Sequence, residues 1–297
     1  MRLFKYVSAD AAKHILRSNQ LRWSPPLSFD DPFDAQFDQH IECDEQRALV
    51  RIEDELWAIY TGRKQPAVLN KLGRTIQIFR KAQPSLTRKE LFGAGQQLRG
   101  AVLESIRKAH EALPPVQAQI RKLVFGIKVL CLSEINDNLL MWSHYGLHHT
   151  GAVLEFSTET ESDNLFKAAE PVEYRTSMPR MLSEDDMVAL LSGQFSINKE
   201  RVWHNAVFVK AADWAYEREW RIYLSSSEFS NEHFYTTFNK EQLIAIYFGC
   251  RMSAADNFEL FNYTREHFPD AKKVYARKSE RDFALDFVQF FQTLDDF

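Results

Sequence analysis

A long stretch with helical hydrophobic periodicity, residues 44–124, interrupts a chain that is otherwise rich in short strand-like segments. Apolar residues recur in this stretch at the three- and four-residue spacing of amphipathic helices, and prolines separate the periodic segments. We interpret the stretch as a helical insertion of three or four helices within a single domain that spans residues 1–297. The predicted helices are Asp44 to Tyr60, Leu69 to Lys81, Thr87 to Leu113 and Val116 to Val124.

Outside the insertion, strand-like segments follow one another in runs instead of alternating with helices. Such runs favour a mixed, largely antiparallel sheet, so the predicted fold class is α+β. Neither a G-x-G-x-x-G nor a Walker sequence occurs, so Rossmann and P-loop folds lack support. The predicted strands are Arg2 to Val7, Leu21 to Ser24, Ile127 to Ser133, Gly151 to Ser157, Val172 to Arg175, Trp220 to Ser225, Phe234 to Phe238 and Leu243 to Cys250, with segments 273–276 and 283–290 closing the chain.

Composition limits the classes of partner and compartment. The net charge of −4 gives no overall positive field that would draw the chain to nucleic acid. We expect basic residues such as Lys210 to be ordinary solvated charges. Three widely separated cysteines argue against a disulfide framework and a zinc knuckle. No apolar run approaches membrane-spanning length, so we expect a cytoplasmic protein that does not act at a membrane.

Residues 140–146, LMWSHYG, combine aromatic and titratable side chains that folding alone rarely places so close together. The pattern predicts a short helix that Gly146 ends, with Trp142, His144 and Tyr145 in the wall of a pocket. An aromatic ring there would stack on a nucleobase or a nicotinamide, and His144 would hydrogen-bond or transfer a proton. The alternative is a well-packed helix with a buried histidine. Because Gly146 breaks the helical spacing of His144 with the histidines that follow, we predict no metal site.

The loop FDDPFD, residues 29–34, concentrates three carboxylates around a proline. Because Asp31 precedes Pro32, its backbone is biased towards an extended conformation, and a side-chain-stabilised turn is the favoured interpretation. Two functional alternatives remain open for Asp31 and Asp34. They are acceptors for a ribose or a base edge, or ligands of Mg²⁺.

The segment WAYEREWRIYL, residues 214–224, alternates apolar and charged residues with the period of a half-buried strand. One interpretation is a surface ladder of ion pairs that includes Glu217, Glu219 and Arg221 and contributes little stability. The other is a catalytic carboxylate, Glu219, held by Arg221 and screened by Trp220. A carboxylate suits reactions with an oxocarbenium-like transition state, because it stabilises developing positive charge.

Two family resemblances follow from these motifs. The succession LFKY, SPPLSFDDPFD, LCLSE, LMWSHYG, YEREWRI and IYFG resembles a widespread bacterial family known as a domain of unknown function. That resemblance covers most of residues 1–250, with the helical insertion as its variable part. It implies a family and no established activity.

The order of features is also similar to NAD-dependent ADP-ribosyltransferases, particularly the DarT-like group that modifies nucleic acids. In those enzymes a first strand bears His or Arg, a central strand carries Ser or Tyr, and a late strand begins at a catalytic Glu. Here Lys5-Tyr6 stand at the first place, Ser133 at the second and Glu219 at the third. The resemblance implies a split sheet, NAD as co-substrate and a nucleic-acid or protein target.

We therefore expect a nucleotide-binding enzyme that transfers ADP-ribose from NAD or hydrolyses NAD, in a bacterial stress, toxin or antiphage response. The expected catalytic residues are Glu219, for the oxocarbenium ion, and His144. The expected ligand-binding residues are Lys5, Tyr6, Asp31, Asp34, Ser133, Trp142, Tyr145 and Arg221.

Two other functional classes stay open. One is a non-catalytic domain that senses a ligand or a partner through its aromatic pocket. The other is a metal-dependent nuclease that uses the carboxylates of Asp30, Asp31 and Asp34 together with Glu219. The oligomeric state is not predicted.

Overall fold

The structure is a computed structural model that describes residues 1–35, 38–93, 97–159, 164–225 and 234–289. The chain forms two compact units. Unit 1 comprises Met1–Ala35, Val124–Thr176 and Phe208–Phe297, and unit 2 comprises Gln36–Leu123 and Ser177–Val207.

The strands of the described residues are β1 (Arg2–Val7), β2 (Gln20–Trp23), β3 (His40–Glu42), β4 (Ile127–Ser133), β5 (Ala152–Ser157), β6 (Glu170–Pro171), β7 (Glu173–Arg175), β8 (Arg180–Ser183), β9 (Val209–Ala211), β10 (Glu219–Ser225), β11 (Phe234–Thr237), β12 (Leu243–Phe248), β13 (Lys272–Lys278) and β14 (Leu285–Gln289). The α-helices are α1 (Ala9–Ser18), α2 (Glu45–Tyr60), α3 (Lys71–Ala82), α4 (Arg88–Phe92), α5 (Gln97–Glu111), α6 (Leu113–Phe125), α7 (Leu139–His144), α8 (Glu184–Leu191), α9 (Lys199–Val207) and α10 (Ala254–His267).

Unit 1 is built on an eight-stranded sheet with the order β14-β13-β12-β5-β1-β4-β10-β6. All neighbouring pairs in this sheet are antiparallel except β12 and β13, which run parallel. The predicted α+β class with a mixed, largely antiparallel sheet is therefore confirmed. None of the described helices is long and apolar enough to cross a membrane.

The sheet parts between β1 and β4. Strand β1 pairs with β5 along its whole length, but it pairs with β4 at one position, Phe4 opposite Ser133. Further along β4, Val129 forms an isolated bridge with Ser24, just after β2. The two strands therefore leave a gap beside the centre of the sheet.

Helices cover both faces of the sheet. This is expected because successive apolar side chains of β1 point to opposite faces, and both faces must therefore be covered. Leu3 belongs to a core cluster with Leu16 of α1 and Leu260 of α10. The next residue, Phe4, belongs to a second cluster with Trp142 of α7. Helix α7 is thus on the opposite face of the sheet from α1 and α10.

Unit 2 is mainly helical and contains most of the predicted insertion. Its core joins α2, α3, α5 and α8 through apolar side chains such as Ile52, Ile76, Val102 and Val188. The described part of this unit also contains strands β3 and β8, which pair in parallel.

Two helix boundaries in unit 2 differ from the sequence prediction. The predicted helix from Thr87 to Leu113 is described as α4 and α5, and α4 ends at Phe92 with Gly93 as its C-cap. Residues 94–96 of the prediction lie outside the described residues. The predicted helix from Val116 begins earlier, at Leu113, because proline in the first helical turn loses no hydrogen bond.

A tight turn connects α7 to β5. Leu147, His148 and His149 all have positive φ angles, of 46°, 56° and 66°. This left-handed conformation is unfavourable for residues that carry a Cβ. Gly151 follows, and a Cβ there would lie 2.1 Å from the carbonyl oxygen of Val7, so only glycine allows the turn to reach the end of β1. The turn therefore fixes α7 beside β1.

Replacing His148 with glycine should stabilise the protein. The side chain is exposed, and glycine removes the left-handed penalty of about 1–2 kcal/mol while losing about 0.5–1 kcal/mol of backbone entropy. We expect His148→Gly to raise the free energy of unfolding in urea by roughly 0.5–1 kcal/mol. Glu266→Gly is the control, because Glu266 is an exposed residue of α10. This variant should lower the free energy of unfolding by a similar amount. A loss of stability in His148→Gly would contradict the described turn.

Candidate active site

A cleft of about 760 Å³ opens in unit 1 where β1 and β4 part. Its walls come from β1, α1, β2, β4, α7, β11, the loop at residues 28–34 and the segment 210–219. Eight of the predicted site residues line it: Lys5, Tyr6, Asp31, Asp34, Ser133, His144, Tyr145 and Glu219.

Arg221 is the centre of a buried ion cluster at one side of the cleft. Its side chain is 0% exposed. Its Nε donates to Glu219 Oε1 at 2.9 Å, and its Nη2 donates to Glu219 Oε2 at 2.9 Å and to Asp34 Oδ2 at 2.6 Å. The bidentate contact fixes the plane of the Glu219 carboxylate.

Lys210, on β9, adds a second buried cation to the cluster. Its Nζ lies 2.6 Å from Glu217 Oε2, 3.2 Å from Asp34 Oδ2 and 3.3 Å from Glu219 Oε2. The ammonium also lies 5.0 Å from the ring centroid of Trp214, within the range of a cation–π contact. Three carboxylates therefore share two cations.

This pairing sets the charge of Glu219. Burial alone would raise the pKa of the Glu219 carboxyl, but the adjacent charges of Arg221 and Lys210 lower that pKa well below its ordinary value. Burial alone would likewise lower the pKa of Lys210, and the carboxylates, Glu219 foremost, raise it instead. Glu219 is therefore an anion at neutral pH.

Glu217 has a different environment from Glu219. It ends a 3₁₀ helix at Ala212–Glu217, and its Oε1 accepts a hydrogen bond from the Tyr145 hydroxyl at 2.7 Å. Burial raises the pKa of Glu217, although Lys210 opposes the shift. Two neighbouring carboxyls thus have pKa values shifted in opposite directions, which is typical of acid–base sites.

The surface ladder of ion pairs, one of the two interpretations of β10, is wrong, whereas the contact between Arg221 and Glu219 that the other interpretation requires is present. Glu219 and Arg221 are buried, and their partners Asp34 and Lys210 come from distant segments. The expectation that Lys210 is a solvated charge is wrong for the same reason. Alternation of charged and apolar residues looks alike whether the charged face meets water or buried counter-ions.

Helix α7 and Glu219 lie on the same face of the sheet. Across the strands, Glu219 lies opposite Ser133, and Ser133 lies opposite Phe4, which packs in the same cluster as Trp142. The Tyr145 hydroxyl reaches the carboxylate of Glu217. The motif at residues 140–146 and the motif at residues 214–224 therefore share one site.

Trp142 does not take the predicted place in the pocket wall. Its side chain is fully buried, its indole N–H donates to the carbonyl of Asn136 at 2.7 Å, and its ring stacks on His149. Tyr6 packs edge-on against it at 5.6 Å and donates its hydroxyl to the carbonyl of Ile135. Trp142 is a support for the wall, and ligand stacking on it would require displacing this packing.

His144 and Tyr145 reach the cleft from the end of α7. Nδ1 of His144 lies 3.2 Å from the hydroxyl of Tyr216, and the His144 side chain is exposed. Tyr145 is 36% exposed, so part of its ring is open to a ligand. Ser133 is buried, and its hydroxyl donates to the backbone carbonyl of Glu217 at 2.6 Å. Ser133 thereby holds the start of β10 in place.

Two cations line the cleft without an ion-pair partner in the described part of the chain. Lys5 donates to the carbonyl of Cys131 at 2.8 Å, and Arg22 projects from β2 with an exposed side chain. Burial lowers the pKa of Lys5, and the nearby charge of Arg22 acts in the same direction. An anionic ligand group would relieve this repulsion.

The loop FDDPFD forms the predicted turn. Oδ1 of Asp31 accepts from the backbone N–H of Phe33 at 2.9 Å, and the backbone N–H of Asp34 donates to the carbonyl of Asp31. Asp34 is bonded to Lys210 and Arg221. Among the residues that the structure describes, no group of three or more His, Cys, Asp or Glu side chains is placed to hold a metal ion.

Sequence reasoning missed several residues of the site. Tyr174 accepts the backbone N–H of Glu219 at 2.8 Å through its hydroxyl oxygen, and Trp214 and Arg22 line the cleft. Trp214 lies within the aromatic and charged segment that drew attention to Glu219. Tyr174 and Arg22 occur in short strands with ordinary composition, so no local pattern marks them.

The buried cluster predicts a large stability loss when one cation is removed. Arg221→Met leaves Lys210 alone with three buried carboxylates, and we expect the free energy of unfolding in urea to fall by about 3–5 kcal/mol. Arg17→Met, which removes an exposed ion pair with Glu259, should cost about 0–1 kcal/mol. Equal losses in the two variants would contradict the buried cluster.

The opposite shifts of Glu217 and Glu219 predict opposite pH effects. The folded-state pKa of Glu219 is lowered, so its stabilisation is present above its unfolded pKa of about 4.3 and is lost as pH falls. The folded-state pKa of Glu217 is raised, so folding favours its protonated form and its contribution to stability increases as pH falls.

Unfolding midpoints between about pH 3 and pH 7 test these signs. Relative to the parent, Glu219→Gln should weaken the loss of stability in acid, and Glu217→Gln should strengthen it. Parallel pH profiles for the parent and both variants would contradict the assigned pKa directions.

Comparison with known proteins gives a match to one family model over part of the chain and indicates no activity. Residues 141–222 match a family model described as "Protein of unknown function (DUF2971)". This range begins in α7 and ends in β10, so it covers most of both motifs that meet at the cleft. No curated protein and no solved structure matches the chain. The resemblance to a family of unknown function is therefore confirmed over residues 141–222.

Proposed function

We propose that the cleft binds a nucleotide of the NAD type and that Glu219 promotes cleavage of the bond between nicotinamide and ribose. The ADP-ribose is then transferred to a nucleic-acid or protein acceptor, or to water. The chain would accordingly be an ADP-ribosyltransferase or an NAD glycohydrolase.

The adjacency of β1, β4 and β10 carries this proposal. These strands hold the three places that resemble ADP-ribosyltransferases, Lys5-Tyr6, Ser133 and Glu219, although they are far apart in sequence. Phe4, Ser133 and Glu219 lie in one row across the strands, and the sheet parts immediately beside that row. A cleft at such a parting, with an ionised carboxylate in its wall, fits the split sheet that the resemblance implies.

The charges of the site suit this chemistry. When the bond between the ribose C1′ and the nicotinamide nitrogen breaks, nicotinamide leaves with the electron pair and C1′ gains positive charge. The anionic Glu219 stabilises that charge in a buried environment. The acceptor then bonds to C1′ and releases a proton, and we assign Glu217, whose pKa is raised, as the base that takes this proton.

The remaining walls suit the other parts of a dinucleotide. Lys5 and Arg22, which lack carboxylate partners among the described residues, would neutralise the pyrophosphate. The partly exposed rings of Tyr145 and Trp214 provide surfaces for a nicotinamide or an adenine. His144 lies beside Tyr145 and would hydrogen-bond the ribose or a phosphate.

A second candidate, a non-catalytic domain that senses such a ligand, is favoured by one observation. Both carboxylate oxygens of Glu219 are already bonded by Arg221, and one also contacts Lys210. A carboxylate whose two oxygens are both hydrogen-bonded in this way is suited to holding the wall of a pocket in place. This candidate predicts ligand binding without release of nicotinamide.

Glu219→Gln tests the proposed chemistry, because it removes the charge and keeps nearly the same shape. We expect the parent to release nicotinamide from NAD, in the presence of cell lysate or nucleic acid as acceptor source, and Glu219→Gln to lose at least about 100-fold in rate, the scale of one electrostatic group. Product analysis by chromatography measures the release.

Glu155→Gln is the matched control. Glu155 is equally buried on β5 of the same sheet, where it accepts from Tyr247 and does not line the cleft. Its substitution should leave the rate unchanged. Binding of NAD without nicotinamide release in any condition would favour the sensing domain, and no binding by the parent would contradict both candidates.

A further inference from the structure

One buried carboxylate oxygen of a cleft residue, Asp34, has no hydrogen-bond partner among the residues that the structure describes. Oδ2 of Asp34 is bonded to Arg221 Nη2 at 2.6 Å and to Lys210 Nζ at 3.2 Å. Oδ1 of the same carboxylate has no partner among the described residues, although the residue is only 3% exposed. Asp34 is one of the residues that line the cleft, but Oδ1 itself has almost no exposed surface, so a molecule bound there reaches it only by displacing the atoms that cover it.

A buried acceptor of this kind is unfavourable in the empty cleft. Native proteins leave few buried polar atoms without partners, and charged groups lose most when they are left so. The turn at Asp31 and the positive φ angle of Ala35, 55°, hold Asp34 in this orientation from both sides. The loop therefore maintains an acceptor that the protein's described residues do not use.

Arg221 fixes where this acceptor lies relative to the reactive carboxylate. The same nitrogen, Nη2, donates to Asp34 Oδ2 and to Glu219 Oε2. The two carboxylates are therefore held side by side on one guanidinium. A ligand group that bonds to the Asp34 carboxylate therefore joins the ion cluster that contains Glu219.

We propose that Asp34 Oδ1 accepts a hydrogen bond from an N–H or O–H group of the ligand and that it selects for ligands with a donor at this point. In a nucleotide of the NAD type the donor is the carboxamide of nicotinamide or a ribose hydroxyl. A ligand with a carboxylate at this position is rejected, because two anions would meet in a buried site. This inference deepens the proposed function and rests on it only for the choice of NAD as a probe.

Asp34→Asn reverses the hydrogen-bonding character of this point. The amide oxygen must face Arg221 and Lys210, which can only donate, so the amide nitrogen takes the place of Oδ1. The variant thus presents a donor where the parent presents an acceptor, with almost no change in size.

The experiment measures binding by calorimetry to the full chain and to Asp34→Asn, with four separate probes: NAD, nicotinamide, D-ribose and nicotinic acid. We expect Asp34→Asn to weaken NAD binding by about 10- to 100-fold, the effect of one hydrogen bond to a charged group. If the carboxamide is the donor, Asp34→Asn should also bind nicotinamide more weakly than the parent does. If a ribose hydroxyl is the donor, the variant should bind D-ribose more weakly instead. Nicotinic acid should bind Asp34→Asn better than the parent.

Asp213→Asn is the control for the loss of one negative charge, because Asp213 is exposed and does not line the cleft. It should bind every probe as the parent does. If Asp34→Asn does not fold, as judged by its melting curve, Asp34→Glu replaces it. That variant keeps the charge and displaces the free oxygen, and it should also weaken NAD binding.

The outcomes separate this inference from the proposed function. Equal NAD affinity in the parent and in Asp34→Asn would overturn the inference and leave the function intact. Binding of nicotinamide or ribose that depends on Asp34, without binding of NAD, would support the inference and overturn the function. Absence of binding of all four probes to the parent would overturn both.

Discussion

The buried guanidinium of Arg221 is the interaction on which the site depends. It joins Glu219, at the start of β10, to Asp34, in a loop from the other end of the chain. Lys210 adds a third segment to the same cluster. Burying five charged groups is expensive in desolvation, and an apolar cluster of similar volume would stabilise a fold at least as well. The benefit of the buried ion cluster is therefore expected in function, because the cluster holds an ionised Glu219 at the wall of the cleft.

The cleft itself follows from how β1 is paired. Six residues of β1 pair with β5, and one pairs with β4, so the sheet is continuous on one side of β1 and open on the other. Helix α7 closes one face beside this opening, anchored by Trp142 and by the left-handed turn that follows it. The strained turn and the buried tryptophan thus serve the site indirectly, by fixing where Tyr145 and His144 meet the cleft.

Much of this arrangement could be predicted from local sequence patterns. Most of the strands, the short helix at 139–144 and the turn at Asp31 have signals within a few residues, whereas the short strands β3, β6, β8 and β9 were not predicted. The burial of Arg221 and Lys210 has no such signal, because their partners come from distant segments and a buried charged face alternates like an exposed one. Trp142 was misplaced because a helix of six residues does not show which ring packs inward. The end of α4 at Phe92, with Gly93 as its C-cap, falls inside a segment whose helical periodicity is continuous.

A split sheet, an ionised carboxylate and an unpartnered buried acceptor meet in one cleft, for which we propose a ligand of the NAD type. A crystal structure of the chain grown with NAD would test this most directly. We predict density for NAD or its ADP-ribose product between β1 and β4, with the nicotinamide ribose beside Glu219 and a ligand donor on Asp34. NAD bound elsewhere on the chain, or a cleft that remains empty at saturating NAD, would contradict the account.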